Sequence, residues 1–141
     1  MKRIIIIIFF LIFLYCIYGI CPNYKFSKHQ IGNCGMLTVL TYNSIFNNKI
    51  RTYFIAGNYN SLRLPKDCFY TEYGGGFSGG YQLLSSCRDG KIVLTHAFGY
   101  FEINGQHISN YMSDKIILEE ISYSKFTELQ KSGEYLLLYG D

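Results

Sequence analysis

DCFYTEYGGGFSGGYQLLSSCRDGKIVLTHAFGYFEINGQHISNY, residues 67–111, carries three turn signals separated by runs of β-branched and aromatic residues. Asp89-Gly90 and Asn104-Gly105 are two-residue pairs suited to type I′ hairpins, in which both central residues take positive φ. With Asp89-Gly90 as the loop, Arg88 faces Lys91, Cys87 faces Ile92 and Leu83 faces His96. With Asn104-Gly105 as the loop, Ile103 faces Gln106, Glu102 faces His107 and Phe101 faces Ile108. The glycine-rich GGGFSGG (74–80) reads as a third, looser hairpin, centred between Phe77 and Ser78. That centring puts Cys68 opposite Cys87, where antiparallel Cα atoms lie about 4.5–5.5 Å apart, a separation a disulfide accepts.

The expected fold is therefore mainly β: an antiparallel meander forming a small sandwich or barrel. Alternation along the strands assigns two faces. One collects Cys68, Tyr70, Tyr81, Leu83, Cys87, Ile92, Leu94, His96, Phe98 and Tyr100, and reads as the core. The other, with Phe69, Thr71, Gln82, Leu84, Ser86, Val93, Thr95, Phe101, Ile103 and Ile108, is mixed.

Working outward, MLTVLTY and IRTYFIA (36–42 and 50–56) read as a hairpin across a polar connection, with a helix over 35–47 as the alternative. GNYNS (57–61) is a turn, and Pro65 marks an edge or a strand start. KIILEEI (115–121) reads as a strand. Ser124 as N-cap and Gly133 as stop bound one short C-terminal helix over 125–132. EYLLLY (134–139) follows as a last strand, apolar enough to be buried on both sides.

At the N-terminus Lys2 and Arg3 precede an apolar run over 4–20, the layout of a secretory signal. The reading is a signal peptide over 1–20, cleaved after Gly19, and a single β-rich exported domain over 21–141. An uncleaved anchor over 4–20, at the short end of a membrane span, and lipidation at Cys16 or Cys21 are the alternatives. The expected location is secreted or periplasmic, with membrane contact only if the segment is uncleaved. Export leaves Cys21, Cys34, Cys68 and Cys87, an even number that favours two disulfides. With Cys68–Cys87 paired, Cys21–Cys34 remains.

Setting aside Lys2 and Arg3, the 13 basic residues fall to 11 against 10 acidic ones, with no basic cluster. That argues against a nucleic-acid footprint. The chain has 14 Tyr and 11 Phe but no Trp, an aromatic content suited to strands. His29, His96 and His107 share no ligand spacing, so no metal or cofactor is expected.

Two catalytic or binding constellations present themselves. QIGNCG (30–35) contains Cys34, and THAFGYFEING (95–105) contains His96, with Asn110 following. This Cys, His, Asn order resembles that of papain-type peptidases, in which the histidine deprotonates the thiol and the asparagine orients the imidazole. The resemblance implies a minimal cysteine hydrolase using Cys34 and His96. Against it, the disulfide framework claims Cys34, and the meander register sets His96 and Asn110 on opposite faces. YGGGFSGGY (73–81) lacks the lysine and the following helix of a phosphate loop. Its aromatics Tyr73, Phe77 and Tyr81 read instead as anchors on a binding loop. The leading functional expectation is a binding or inhibitor module for an extracytoplasmic protein or glycan. The hydrolase and a membrane-anchored structural envelope protein are the rivals.

Overall fold

Positive φ at Asp89 (53°), Gly90 (74°), Asn104 (50°) and Gly105 (76°) builds both two-residue hairpins where the sequence places them. The structure, a computed structural model, describes residues 6–14, 23–44, 49–66, 68–74 and 80–140. The first of these hairpins joins β5 (Gln82–Arg88) to β6 (Lys91–His96), pairing Arg88 with Lys91 and Cys87 with Ile92. The second joins β7 (Phe101–Ile103) to β8 (Gln106–Ile108), pairing Glu102 with His107. The remaining strands are β1 (Asn23–Gln30), β2 (Met36–Ser44), β3 (Lys49–Ala56), β4 (Phe69–Gly74), β9 (Tyr111–Met112), β10 (Ile116–Glu120) and β11 (Leu136–Tyr139).

These strands form two packed sheets. The six-stranded sheet has the order β1-β2-β3-β4-β7-β8 and is antiparallel throughout. The five-stranded sheet has the order β11-β5-β6-β10-β9, with β10 parallel to β6. The fold is mainly β, as the sequence indicates, and the β2–β3 hairpin is present rather than a helix over 35–47.

The meander itself is corrected. β4 does not pair with β5. It lies between β3 and β7 in the six-stranded sheet, so the glycine-rich connection leads from one sheet to the other. The move reverses the faces assigned to β4 and β7. Phe69, Thr71 and Phe101 point into the core, while Tyr70 and Glu102 point outward. Leu83, Ile92 and Leu94 remain on the core side, as read from their hairpin.

The core is aromatic at its centre. Phe54 stacks on Phe69 at 5.4 Å, meets Tyr81 edge-on at 5.1 Å and approaches Phe101 at 6.1 Å. Leu37 and Val39 from one sheet and Leu94, Leu118 and Leu138 from the other close around them. The opposite face of the five-stranded sheet also buries Leu84 and Val93, and the C-terminal helix (Tyr123–Ser132) packs on that sheet at β5 with Phe126 buried.

That helix begins two residues earlier than its sequence signals suggest. Ser122, not Ser124, is the N-cap, its side chain accepting from the Lys125 amide, and Gly133 closes the helix in the left-handed region (φ 73°). β11 is an edge strand instead of a doubly buried one: Leu138 is buried, but Leu136 is 45% and Tyr139 69% exposed. Residues 6–14 are helical with exposed apolar side chains, and among the described residues no helix is long and apolar enough to cross a membrane.

The disulfide joins Cys34 to Cys87, with Cα atoms 5.5 Å apart. This replaces the expected Cys68–Cys87 and Cys21–Cys34 pairs. Cys68 precedes a strand of the six-stranded sheet and its Sγ lies 3.1 Å from the Pro65 carbonyl oxygen, while Cys21 lies outside the described residues. Cys34 closes the 3-10 turn Gly32–Cys34 between β1 and β2, so the bridge staples that turn to the neighbouring sheet. Gly32 makes the approach feasible. It sits at φ 48°, and a Cβ there would lie 3.3 Å from the Cys87 Cβ.

Candidate functional site

The outward face of the six-stranded sheet is where the chain departs most from what a solvated sheet would carry. Two cross-strand rows define it. The first runs Tyr24–Tyr42–Arg51–Glu72 through β1, β2, β3 and β4. The second runs Phe26–Leu40–Tyr53–Tyr70–Glu102–His107 and crosses all six strands.

Ring pairs follow these rows. Tyr24 and Tyr42 lie 5.2 Å apart with planes tilted by 39°, and Tyr53 and Tyr70 lie 5.3 Å apart with a 48° tilt. The Arg51 guanidinium sits 4.8 Å from the centre of the Tyr70 ring, a cation–π contact. Leu40, between Phe26 and Tyr53, is buried although it points away from the core.

Polar contacts hold this surface in one arrangement. Arg51 donates through Nε to Glu72 at 2.8 Å and also through Nη2, while Lys49 reaches the other carboxylate oxygen at 2.6 Å. Donation from Lys49, joined by Arg51, holds the Glu72 carboxyl below its usual range against the opposite pull of partial burial. The Tyr70 hydroxyl donates to Glu102, and this bond, with some burial, pushes the phenol up to about 12. Glu102 therefore faces His107 in register, as the sequence predicts, but its carboxylate serves Tyr70. His107 instead stacks on Tyr100 at 4.4 Å and donates through Nδ1 to the Phe101 carbonyl.

One end of the face is covered by the chain itself. The segment following β3 returns across it: Thr38 donates to the Gly57 carbonyl at 2.6 Å and accepts from the Tyr59 amide, and Lys28 donates to Asn58. Beyond that segment the rows are partly open to solvent: Tyr24 is 44% exposed, and Phe26, Tyr42, Tyr53 and Tyr70 are half-buried.

The residues singled out from sequence lie elsewhere. Phe77 is outside the described residues. Tyr81 is 7% exposed and belongs to the core, so it is not a loop-tip anchor, and Tyr73 is half-buried against the same core. Both line an opening between the two sheets. Cys34 is consumed by its disulfide, which leaves no thiol for the hydrolase reading. His96 is buried, with its ring 4.7 Å from Phe101; its Nε2 donates to the Ser109 carbonyl at 2.9 Å, and its Nδ1 has no hydrogen-bond partner among the described residues. Asn110 accepts from the Glu120 amide and so does not orient that imidazole. Among the described residues, no three His, Cys, Asp or Glu side chains gather as metal ligands.

Burial and the neighbouring Tyr73 push the Tyr81 phenol up to about 12. A raised folded-state value means the stability it contributes is complete below about pH 10, the unfolded phenol value, and is lost as pH rises towards 12. The shift is worth on the order of 2–3 kcal/mol. Tyrosinate absorbance should thus show two late-titrating phenols, Tyr70 and Tyr81, and Tyr81→Phe should remove one of them, the one whose titration accompanies alkaline unfolding. Its persistence in the variant would assign it to another tyrosine.

Comparison of the chain with family models, with curated proteins and with solved structures found no match.

Proposed function

We propose that this is an exported binding module that docks a protein partner on the outward face of its six-stranded sheet. The observation that carries the reading is the pair of aromatic rows, Tyr24–Tyr42 and Tyr53–Tyr70, with Arg51 between them. Tyrosine and arginine are enriched among the residues that dominate binding energy at protein interfaces: tyrosine offers large contact area and a polar tip at low entropic cost, and arginine a planar, multiply donating guanidinium, here already held by Glu72. The ion pairs and hydrogen bonds around Glu72 and Glu102 reduce what remains to be ordered on association. Export is supported by the basic-then-apolar N-terminal segment together with the Cys34–Cys87 disulfide. A protein partner suits the surface better than a glycan, since the paired rings are tilted by 39° and 48° and do not form one flat stacking platform.

The test compares the full-length protein with a Tyr42→Ala/Tyr53→Ala variant, checked for an unchanged circular dichroism spectrum. Proteins crosslinked to each in the extracytoplasmic fraction are then identified. The expected result is a partner whose affinity drops about 30-fold or more in the variant, as loss of an interface hot spot implies. Equal affinity for wild type and variant would overturn the assignment, as would binding confined to a glycan.

A further inference from the structure

Proteins blunt the edges of their sheets by keeping the outermost strands short. Three of the four edges here follow that rule: β8 has three residues, β9 two and β11 four. β1 does not. It runs for eight residues, Asn23–Gln30, and among the described residues it pairs with β2 alone. Two backbone hydrogen bonds fix the phase of that strand. The Ile31 amide donates to the Gly35 carbonyl at 2.9 Å, and the Gly57 amide donates to the Met36 carbonyl at 2.7 Å. Both continue the registers of the ladders beside them, in which Gln30 meets Met36 and Leu37 meets Ala56. Hydrogen-bonded pairs alternate with non-bonded ones along an antiparallel ladder. His29, Ser27 and Lys25 therefore turn their amides and carbonyls to β2, and Lys28, Phe26 and Tyr24 turn theirs away from the sheet.

From this we infer that β1 is the interface of a two-fold dimer, in which it pairs antiparallel with β1 of a second copy, centred on Phe26. Outward groups meet outward groups only when the centre falls on a residue, and charge selects which residue. With Phe26 opposite Phe26, Lys25 faces Ser27 across the axis and Lys28 faces Tyr24. Centring on Lys25 or on Lys28 opposes two lysines, and centring on Ser27 sets Lys25 against His29. Any other centre overlaps fewer than five residues of the strand.

Lysine on an edge strand commonly guards against pairing. Here the two lysines exclude the neighbouring registers and leave this one open. Both are exposed, and the Lys28 ammonium is already held by Asn58 and Asn60, so its stem is what Tyr24 of the second copy meets. Lys25 and Ser27 line the opening between the two sheets, where the ammonium keeps its water. Three residue pairs then exchange about six backbone hydrogen bonds, and the outward faces of the two six-stranded sheets lie on one side. The dimer depends on the strand's edge and not on what docks on the aromatic rows, so each fails or stands without the other.

Sedimentation of the natively exported protein should show a monomer–dimer equilibrium with a dissociation constant on the order of 10 μM, as a small interface implies. Phe26→Pro removes an outward amide, which an edge strand tolerates, and should weaken the dimer at least tenfold. Phe26→Lys, which opposes two lysines and keeps the amide, should do the same, whereas Phe26→Ala should weaken it less than either. Phe26→Cys should link two copies through that position, because hydrogen-bonded pairs hold their Cα atoms about 5.5 Å apart; Tyr24→Cys should not. In hydrogen exchange, the amides of Tyr24, Phe26 and Lys28 should be open in the dilute monomer and protected in the dimer. A protein that stays monomeric, a dimer indifferent to both Phe26→Pro and Phe26→Lys, or a crosslink mapping to another register would overturn the inference. So would protection of those three amides in the monomer, which would mean that the chain's own N-terminal residues cover the edge.

Discussion

Replacing Cys34 and Cys87 together by alanine is expected to lower the unfolding free energy by about 4 kcal/mol. The bridged residues are 53 positions apart, so the bond closes a long loop in the unfolded chain and removes much of its conformational freedom. In the folded state it ties the turn between β1 and β2 to the β5–β6 hairpin, joining the two sheets. Urea unfolding of the oxidised protein, of the same protein after reduction, and of the double variant checks this. The reduced protein and the variant should share a lowered midpoint. Coincidence of all three curves would mean that the bridge adds nothing to stability.

The partner of Cys87 also shows where the sequence stops informing. Asp89-Gly90 and Asn104-Gly105 specify their hairpins locally, because two positive φ values and a two-residue loop leave one register. The hairpin of β2 and β3 is legible for a similar reason, since β-branched runs flank a short polar connection. GGGFSGG carries no comparable constraint. Glycine permits a hairpin and equally permits a crossing between sheets, so the stretch by itself sets no strand opposite Cys68, and β4 pairs with β3 and β7 instead of β5. That one crossing decides which cysteine meets Cys87 and which way Tyr70 points.

The candidate binding face was hidden for the same reason. Tyr24, Tyr42, Tyr53 and Tyr70 come from four strands, and each alternates with residues that would serve as well on a buried face. In NYKFSKHQ the alternation of Tyr24 and Phe26 with Lys25, Ser27 and His29 is plain, but its sense depends on whether a second sheet lies opposite. Apolar character misleads at β11 too, where LLLY suggests burial on both sides and the strand lies at an edge. By contrast, Gly133 ends the C-terminal helix as read, because a left-handed cap is a local requirement.

Phe54→Ala is the substitution that tests the centre of this arrangement. Phe54 is fully buried and its ring meets Phe69, Tyr81 and Phe101, so it links its own sheet to the residue that leads into β5. Truncating a buried phenylalanine costs about 3–5 kcal/mol, from lost transfer energy and from the cavity that rigid neighbours cannot fill. Aromatic neighbours on three sides favour the upper part of that range, since rings held by one another have few alternative rotamers with which to collapse. Against a total stability of roughly 5–15 kcal/mol for a domain, the variant should melt on the order of 10–25 °C lower. Phe54→Leu, which keeps most of the volume, should lose well under half as much. Phe126→Ala removes an equally buried ring beneath the C-terminal helix, outside the inter-sheet core, and provides the comparison. Thermal and urea unfolding of the three variants should rank Phe54→Ala as the most damaging. A loss below about 1.5 kcal/mol for Phe54→Ala, or one smaller than that of Phe126→Ala, would show that the two sheets are not held together through this aromatic cluster.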